Sequence, residues 1–427
     1  MTTLIDDLKQ GNIPAFIPKI AEEEGCGSEV LVQNILDGYT VICRNRLHSF
    51  DPIAIGRGTG IKINANIGTA PTQCDFDNEI RKVRIAIDAG ADTLMDLSIA
   101  GDISGFRRKI MEECNITLGT VPIYEVMSRT DASGGLKPED MNIDSFLRVM
   151  EKQAEEGVDF MTIHAGLRKE HIPLTEKRVL GVVSRGGSLM LRWMRYHGKE
   201  SFLYEHFDEI LAIAREYDIC MSLGDGLRPG CTADANDAAQ FGELECIGEL
   251  VQRCKAANVQ VMVEGPGHVP LHLIEENIRK QKEICGGVPF YVLGPLVMDY
   301  AAGYDHIAGA VGGALAAWFG ADFLCYVTPA EHLRLPSAED VREGVIASKI
   351  AARAADLARK RPGEIQRNLE ISLARKSFDW KKQEKLAIDP EKFRNTLETA
   401  EDSQSKDSRP PCSMCGEWCA VRHSNSE

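Results

Sequence analysis

FDEILAIAREYDICMSLGDGLRPG, residues 207–230, carries the fold in miniature. Its first half sets apolar residues at helical spacing among charges. Its second half is a short apolar run that ends in glycine, aspartate and arginine. A helix followed by a buried strand with a polar far end is the repeating unit of a parallel sheet with helices outside it. The unit recurs from about residue 60 to 332. The β-rich runs are IKINANIG, TLMDLS, TLGTVPIY, FMTIHAG, VLGVVSRGG, CMSLGDGLRPG, VQVMVEGPGH, FYVLGPL and FLCYVTPAEH. They are nearly continuously apolar, as strands covered on both faces are. The expected fold is α/β, a (β/α)8 barrel. A closed barrel of this kind takes eight strands, so one of these runs lies outside it.

The expected order is an N-terminal extension (1–60), the barrel as catalytic domain (61–335), a helical region (336–400), and a linker with a cysteine-bearing tail (401–427). Polar residues and glycines gather at the C-terminal ends of the apolar runs: Asn64, Asn66, Ser98, Tyr124, His164, Ser184, Arg185, Asp225, Arg228, Glu264, His268 and His332. In a (β/α)8 barrel those ends form one mouth, where chemistry is placed. Any one of them alone reads equally well as a turn or a helix cap.

The chain has 427 residues, 44% of them hydrophobic, and a formal net charge of −15. The acidic balance argues against nucleic acid or an anionic membrane as partner. No run of about 18 apolar residues appears, and MTTLIDDLKQGNIP lacks the layout of a signal peptide, so a cytoplasmic protein is expected. Most of the 13 cysteines are scattered singly and read as small buried hydrophobes. Cys412, Cys415 and Cys419 differ, in PPCSMCGEWCAVRH at the end of the chain. Three close thiolates can hold a four-iron cluster with one iron open, a site able to bind S-adenosylmethionine and pass it an electron. The same spacing also fits a zinc site with His423 as fourth ligand.

GPGH (265–268) and PAEH (329–332) each set a histidine after an apolar run, a pair able to share a divalent metal or to be ordinary satisfied histidines. Glu264 is placed to orient a ligand or move a proton. Ser184-Arg185-Gly186-Gly187 has the makings of a phosphate cradle, and GDGLRPG adds Arg228.

Taken together, NANIG, MDLS, GTVPIY, MTIHAG, SRGG, SLGDGLRPG, VMVEGPGHVP, FYVLGPL, GYDHI, LCYVTPAEHL and CSMCG resemble the phosphomethylpyrimidine synthase family of radical-SAM enzymes over roughly residues 56–420. The resemblance implies a (β/α)8 barrel acting on 5-aminoimidazole ribotide, with S-adenosylmethionine, a [4Fe-4S] cluster, an electron donor, and a homodimeric assembly. It implies a ribotide pocket of Asn66, Met95, Tyr124, His164, Ser184, Arg185, Gly186, Asp225, Gly226, Leu227, Arg228, Glu264 and Tyr291. His268 and His332 would bind a divalent metal, zinc or iron, and Cys412, Cys415 and Cys419 the cluster. The Cys-x2-Cys-x3-Cys spacing is one residue shorter than in many members and resembles that of shorter ones. Four segments depart from the thiamine pattern: Gly58–Ile61, Ile99-Ala100, Met298–Ala302 and Arg353. Read as clustered near the barrel mouth, they make the chain most similar to the 5-hydroxybenzimidazole synthase paralogue, which starts from the same substrate.

Overall fold

A computed structural model describes residues 2–128, 137–398 and 414–425. Two short strands, β1 (Thr40–Ile42) and β2 (Ala54–Gly56), pair antiparallel ahead of the barrel. The barrel strands are β3 (Lys62–Ile67), β4 (Thr93–Asp96), β5 (Thr117–Thr120), β6 (Phe160–Ile163), β7 (Cys220–Leu223), β8 (Val261–Gly265), β9 (Phe290–Leu293) and β10 (Phe323–Cys325). They follow one another in chain order, and β10 closes on β3 with Cys325 beside Asn64. The fold is the expected (β/α)8 barrel.

The surplus run is VLGVVSRGG. Residues 179–184 form no strand, and Val179, Leu180 and Val183 are exposed. No neighbouring strand takes their backbone groups. The carboxylate of Asp234 accepts the N–H groups of Val179 and Leu180 at 2.8 and 3.1 Å instead. Ser184 then caps the helix Arg185–His197 by accepting the Gly187 N–H at 3.2 Å.

The N-terminal extension holds three helices, Leu4–Lys9, Phe16–Glu23 and Ser28–Leu36, around a small core that includes Ile17, Leu31 and Ile35. It is tied to the end of the barrel where strands begin. The Gln260 side chain, just before β8, both accepts from and donates to the Ile42 backbone, at 2.8 and 3.0 Å. Asp159, just before β6, takes the Asn45 and Leu118 N–H groups and the His48 ring. Near the opposite end, Arg107 is buried among Glu156 (2.6 Å), Glu125 (2.8 Å) and Asp96 (3.5 Å), so its fixed charge meets three carboxylates.

The helix Ala338–Ala358 packs Val341, Val345 and Ala351 into the barrel core, and the first compact unit runs to Ala355. The second unit, from Asp356 on, contains the helices Pro362–Lys376, Trp380–Leu386 and Pro390–Glu398 and the cysteine-bearing residues 414–425. Cys412 and the polar segment 401–411 lie outside the described residues. Among the described residues no helix is long and apolar enough to cross a membrane.

Candidate active site

Every barrel strand, or the segment just after it, sends a residue into one inner cavity of about 80 Å³. Asn66 comes from β3, Met95 from β4, Tyr124 from the helix Pro122–Ser128 after β5, and His164 from just past β6. Asp225 and Arg228 come from the loop after β7, Glu264 from β8, Tyr291 from β9 and Cys325 from β10. A hydrogen-bond chain sets the floor. Thr93 donates to the Asn64 carbonyl at 2.7 Å, and the Asn64 amide group donates to both Asn66 and the Tyr291 hydroxyl at 2.8 Å. The Asn66 amide group meets the Cys325 sulfur at 3.2 Å. Glu264 accepts from Thr162 at 2.7 Å and Ser222 at 3.3 Å.

Burial decides the charges. His164 is held down at about 3 by burial and by the Arg228 cation, so its ring is neutral, and its Nδ1 has no hydrogen-bond partner among the described residues. Burial, opposed by Arg228 at 3.2 Å and reinforced by Glu264, pushes Asp225 up to about 8. Burial also pushes Glu264 up. Burial thus favours the protonated form of both carboxyls, and the Arg228 cation opposes it in each.

Ser184, Gly186, Gly226 and Leu227 do not line the cavity; they build its wall from behind. A Cβ on Gly186 would stand 2.4 Å from His164 Nδ1, and one on Gly187 would stand 2.2 Å from the Gly226 carbonyl oxygen. The helix start and the β7 loop thus touch backbone to backbone. Leu227 is buried, its N–H held by Glu243 at 2.6 Å and its carbonyl by Arg178 at 2.6 Å. Arg185 lies over the Tyr124 ring at 4.8 Å.

A second, outer cavity of about 420 Å³ shares Asn66 and Leu97 with the inner one and includes Arg185, Glu331 and His332. Lys82 lines it, buried against Glu79 at 2.6 Å. Beside it the two motif histidines meet, their Nε2 atoms 3.3 Å apart. Each Nδ1 faces a carboxylate, Asp299 for His268 at 2.8 Å and Asp305 for His332 at 3.0 Å. Among the described residues no group of three or more His, Cys, Asp or Glu is placed to hold a metal. The pair fits an ion that takes its remaining ligands from small molecules.

In the tail, Cys415 and Cys419 flank the turn Gly416–Trp418; Cys415 is exposed and Cys419 buried. Gly416 at φ +50 allows the tight reversal. His423 turns Nε2 to the Glu417 carbonyl at 2.8 Å.

A sequence profile of the radical SAM ThiC family matches residues 3–426, across both cavities and the cysteine tail. The chain belongs to the radical SAM ThiC family. As a radical SAM ThiC protein it is an enzyme that uses S-adenosylmethionine, an electron donor and a [4Fe-4S] cluster. The phosphomethylpyrimidine synthase of Methanocaldococcus jannaschii is 50% identical over 421 residues, covering 98% of each chain. That of Desulfotalea psychrophila is 49% identical over 421 residues, covering 98% of this chain and 96% of its own.

Two of the four departures from the thiamine pattern do not lie at the mouth. Gly58–Ile61 precede β3, at the opposite end of the barrel. Arg353 lies near Asp92, whose carboxylate accepts the Ile63 N–H at that same end. Of the others, Ile99 lines the outer cavity, whereas Met298 and Ala302 line neither. The sequence reading also missed Glu243, Cys325, Asp299 and Asp305. Asp305 sits in the quoted GYDHI run, and Cys325 ends a quoted strand; Glu243 lies in no motif at all.

Proposed function

We propose that this enzyme rearranges 5-aminoimidazole ribotide by radical chemistry and releases 5-hydroxybenzimidazole. The observation that carries the ribotide is the contact between the SRGG helix start and the GDGLR loop, which brings Arg185 and Arg228 to adjoining cavities. The first-turn N–H groups of Arg185 and Gly186 have no intrahelical acceptor, and the helix dipole favours an anion there. Two guanidinium groups beside such N–H groups suit a phosphate.

When bound, the cluster and S-adenosylmethionine supply the 5′-deoxyadenosyl radical that starts the reaction; Cys412, Cys415 and Cys419 would hold the cluster. The remaining work belongs to the barrel. Asn66 and Tyr291, aligned through Asn64, orient the heterocycle. The neutral His164 offers an uncharged ring nitrogen. Asp225 and Glu264, both inclined by burial to hold a proton, supply one and take it back within the inner pocket. His268 and His332 would hold a divalent ion against the outer chamber. An apolar stripe on the helix Asp305–Phe319, formed by Ile307, Val311 and Trp318, supports a homodimer.

The product rests on Ile99, which adds an apolar side chain to one wall of the outer cavity where the resemblance has Thr-Gly, a contact suited to a flat aromatic. A second reading, 4-amino-5-hydroxymethyl-2-methylpyrimidine phosphate, is favoured by the name that relatives about half identical over their full length carry. Calorimetric titration of the ribotide tests the substrate. Arg228→Ala should weaken binding about 10- to 100-fold, the range of a charge-assisted hydrogen bond. Equal affinity for the dephosphorylated riboside would overturn the phosphate assignment.

A further inference from the structure

The two motif histidines are held by a relay that spans four barrel loops. His268 follows β8 and His332 follows β10. The carboxylates that face their Nδ1 atoms both come from the stretch after β9, Asp299 midway along the loop and Asp305 at the N-terminus of the helix that follows. Asp299 is in turn fixed from the loop after β7. It accepts the Thr232 N–H at 2.9 and 3.1 Å and the Thr232 hydroxyl at 2.6 Å. Asp305 is buried and accepts the Gly303 N–H at 3.2 Å, so it is anchored within the same segment.

This arrangement has a chemical consequence. A carboxylate accepts, so each histidine donates Nδ1–H to its aspartate and is left with an unprotonated Nε2. With both rings neutral, the two Nε2 lone pairs face each other across 3.3 Å. Two facing lone pairs repel, and a shared cation turns that repulsion into two bonds. Carboxylates behind metal-bound imidazoles fix the ring orientation and raise the basicity of the ligating nitrogen. We infer that Asp299 and Asp305, with Thr232 behind Asp299, are the positioning residues of a two-histidine cation site, so the segment 299–305 sets its affinity. This inference rests on the metal reading proposed above. It also gives the Met298–Ala302 departure a place to act. That segment lines neither cavity, but it carries Asp299.

The test is zinc affinity, measured on the full-length protein with its cluster intact. Equilibrium dialysis against zinc–chelator buffers, with bound zinc and iron counted by mass spectrometry, gives the constant without any turnover. A His268→Ala/His332→Ala double variant sets the background. Asp299→Asn and Asp305→Asn should each weaken zinc about 10- to 100-fold, the range typical for such outer partners. Thr232→Val should weaken it less. Asp299→Asn is isosteric and lies on a half-exposed loop, so it remains informative if the buried Asp305 variant fails to fold. Wild-type affinity in Asp299→Asn, alongside clear zinc binding by the parent, would overturn this inference and leave the metal reading intact. Zinc no higher in the parent than in the double-histidine background would overturn both.

Discussion

Gly187→Ala tests the contact on which the substrate pocket depends. Gly187 lies in the first turn of the helix Arg185–His197, where alanine should favour the helix by about 0.5–1 kcal/mol. The packing predicts the opposite sign. The new methyl would stand 2.2 Å from the Gly226 carbonyl oxygen and 2.7 Å from the Gly226 Cα and carbonyl carbon. Those are backbone atoms of a loop whose next N–H is pinned by Glu243, so no flexible side chain can swing away. Ordinary contact begins near 3.4 Å, which requires the helix start and the loop to part by about 1.2 Å. Overpacking of this kind costs about 1–3 kcal/mol, enough to outweigh the helix gain. Displacing the phosphate cradle by about 1 Å should lower kcat/KM on the order of 10²-fold. The assay is anaerobic turnover with the ribotide, alongside a thermal melt. Gly363→Ala is the control, since Gly363 also sits in the first turn of a helix and has nothing within 4 Å of its would-be Cβ. Wild-type kcat/KM in Gly187→Ala would mean that the Gly187–Gly226 contact does not hold the phosphate cradle.

Cys415→Ala should remove one cluster thiolate and abolish reductive cleavage of S-adenosylmethionine, read as 5′-deoxyadenosine by chromatography; persistent cleavage would exclude this thiolate as a ligand. Arg107→Met should leave Asp96 without its cation and Glu125 and Glu156 with only the half-exposed Lys152 at 3.3 and 3.7 Å, and cost about 3–5 kcal/mol, seen as a melt lower by roughly 4–7 °C. His164, held down at about 3 in the folded protein, takes up a proton on unfolding as pH falls through its ordinary value of 6.5. Its share of stability is therefore complete above about pH 7 and is lost toward acid, by about 1.4 kcal/mol at pH 5.5. Urea titrations of wild type and His164→Gln at pH 7.5 and 5.5 should show the smaller acid loss in the variant, and equal losses would contradict the assignment.

The barrel was legible because its strands are apolar runs that end in polar residues, and both halves of that signal are local. Asn66, Tyr124, His164, Asp225, Arg228 and Glu264 could be placed at one mouth for the same reason, whereas Tyr291, inside an apolar run, came only with the family resemblance. VLGVVSRGG misled because it shares that local pattern. What denies it a place in the sheet is Asp234, distant in sequence, which takes its backbone N–H groups. Asp299, Asp305 and Glu243 were not legible because each acts through a partner that only the closed barrel brings near. The same holds for the departures from the thiamine pattern. Gly58–Ile61 look adjacent to the mouth in sequence, yet they precede β3 and so enter the barrel at its far end.

The reaction itself is open to a direct test. Anaerobic incubation of cluster-loaded protein with 5-aminoimidazole ribotide, S-adenosylmethionine and a reductant, read by mass spectrometry, tests it in one measurement. The predicted result is loss of the ribotide with formation of 5′-deoxyadenosine and 5-hydroxybenzimidazole. Hydroxymethylpyrimidine phosphate as the only new product would contradict the product, and 5′-deoxyadenosine formed while the ribotide stays intact would contradict the substrate.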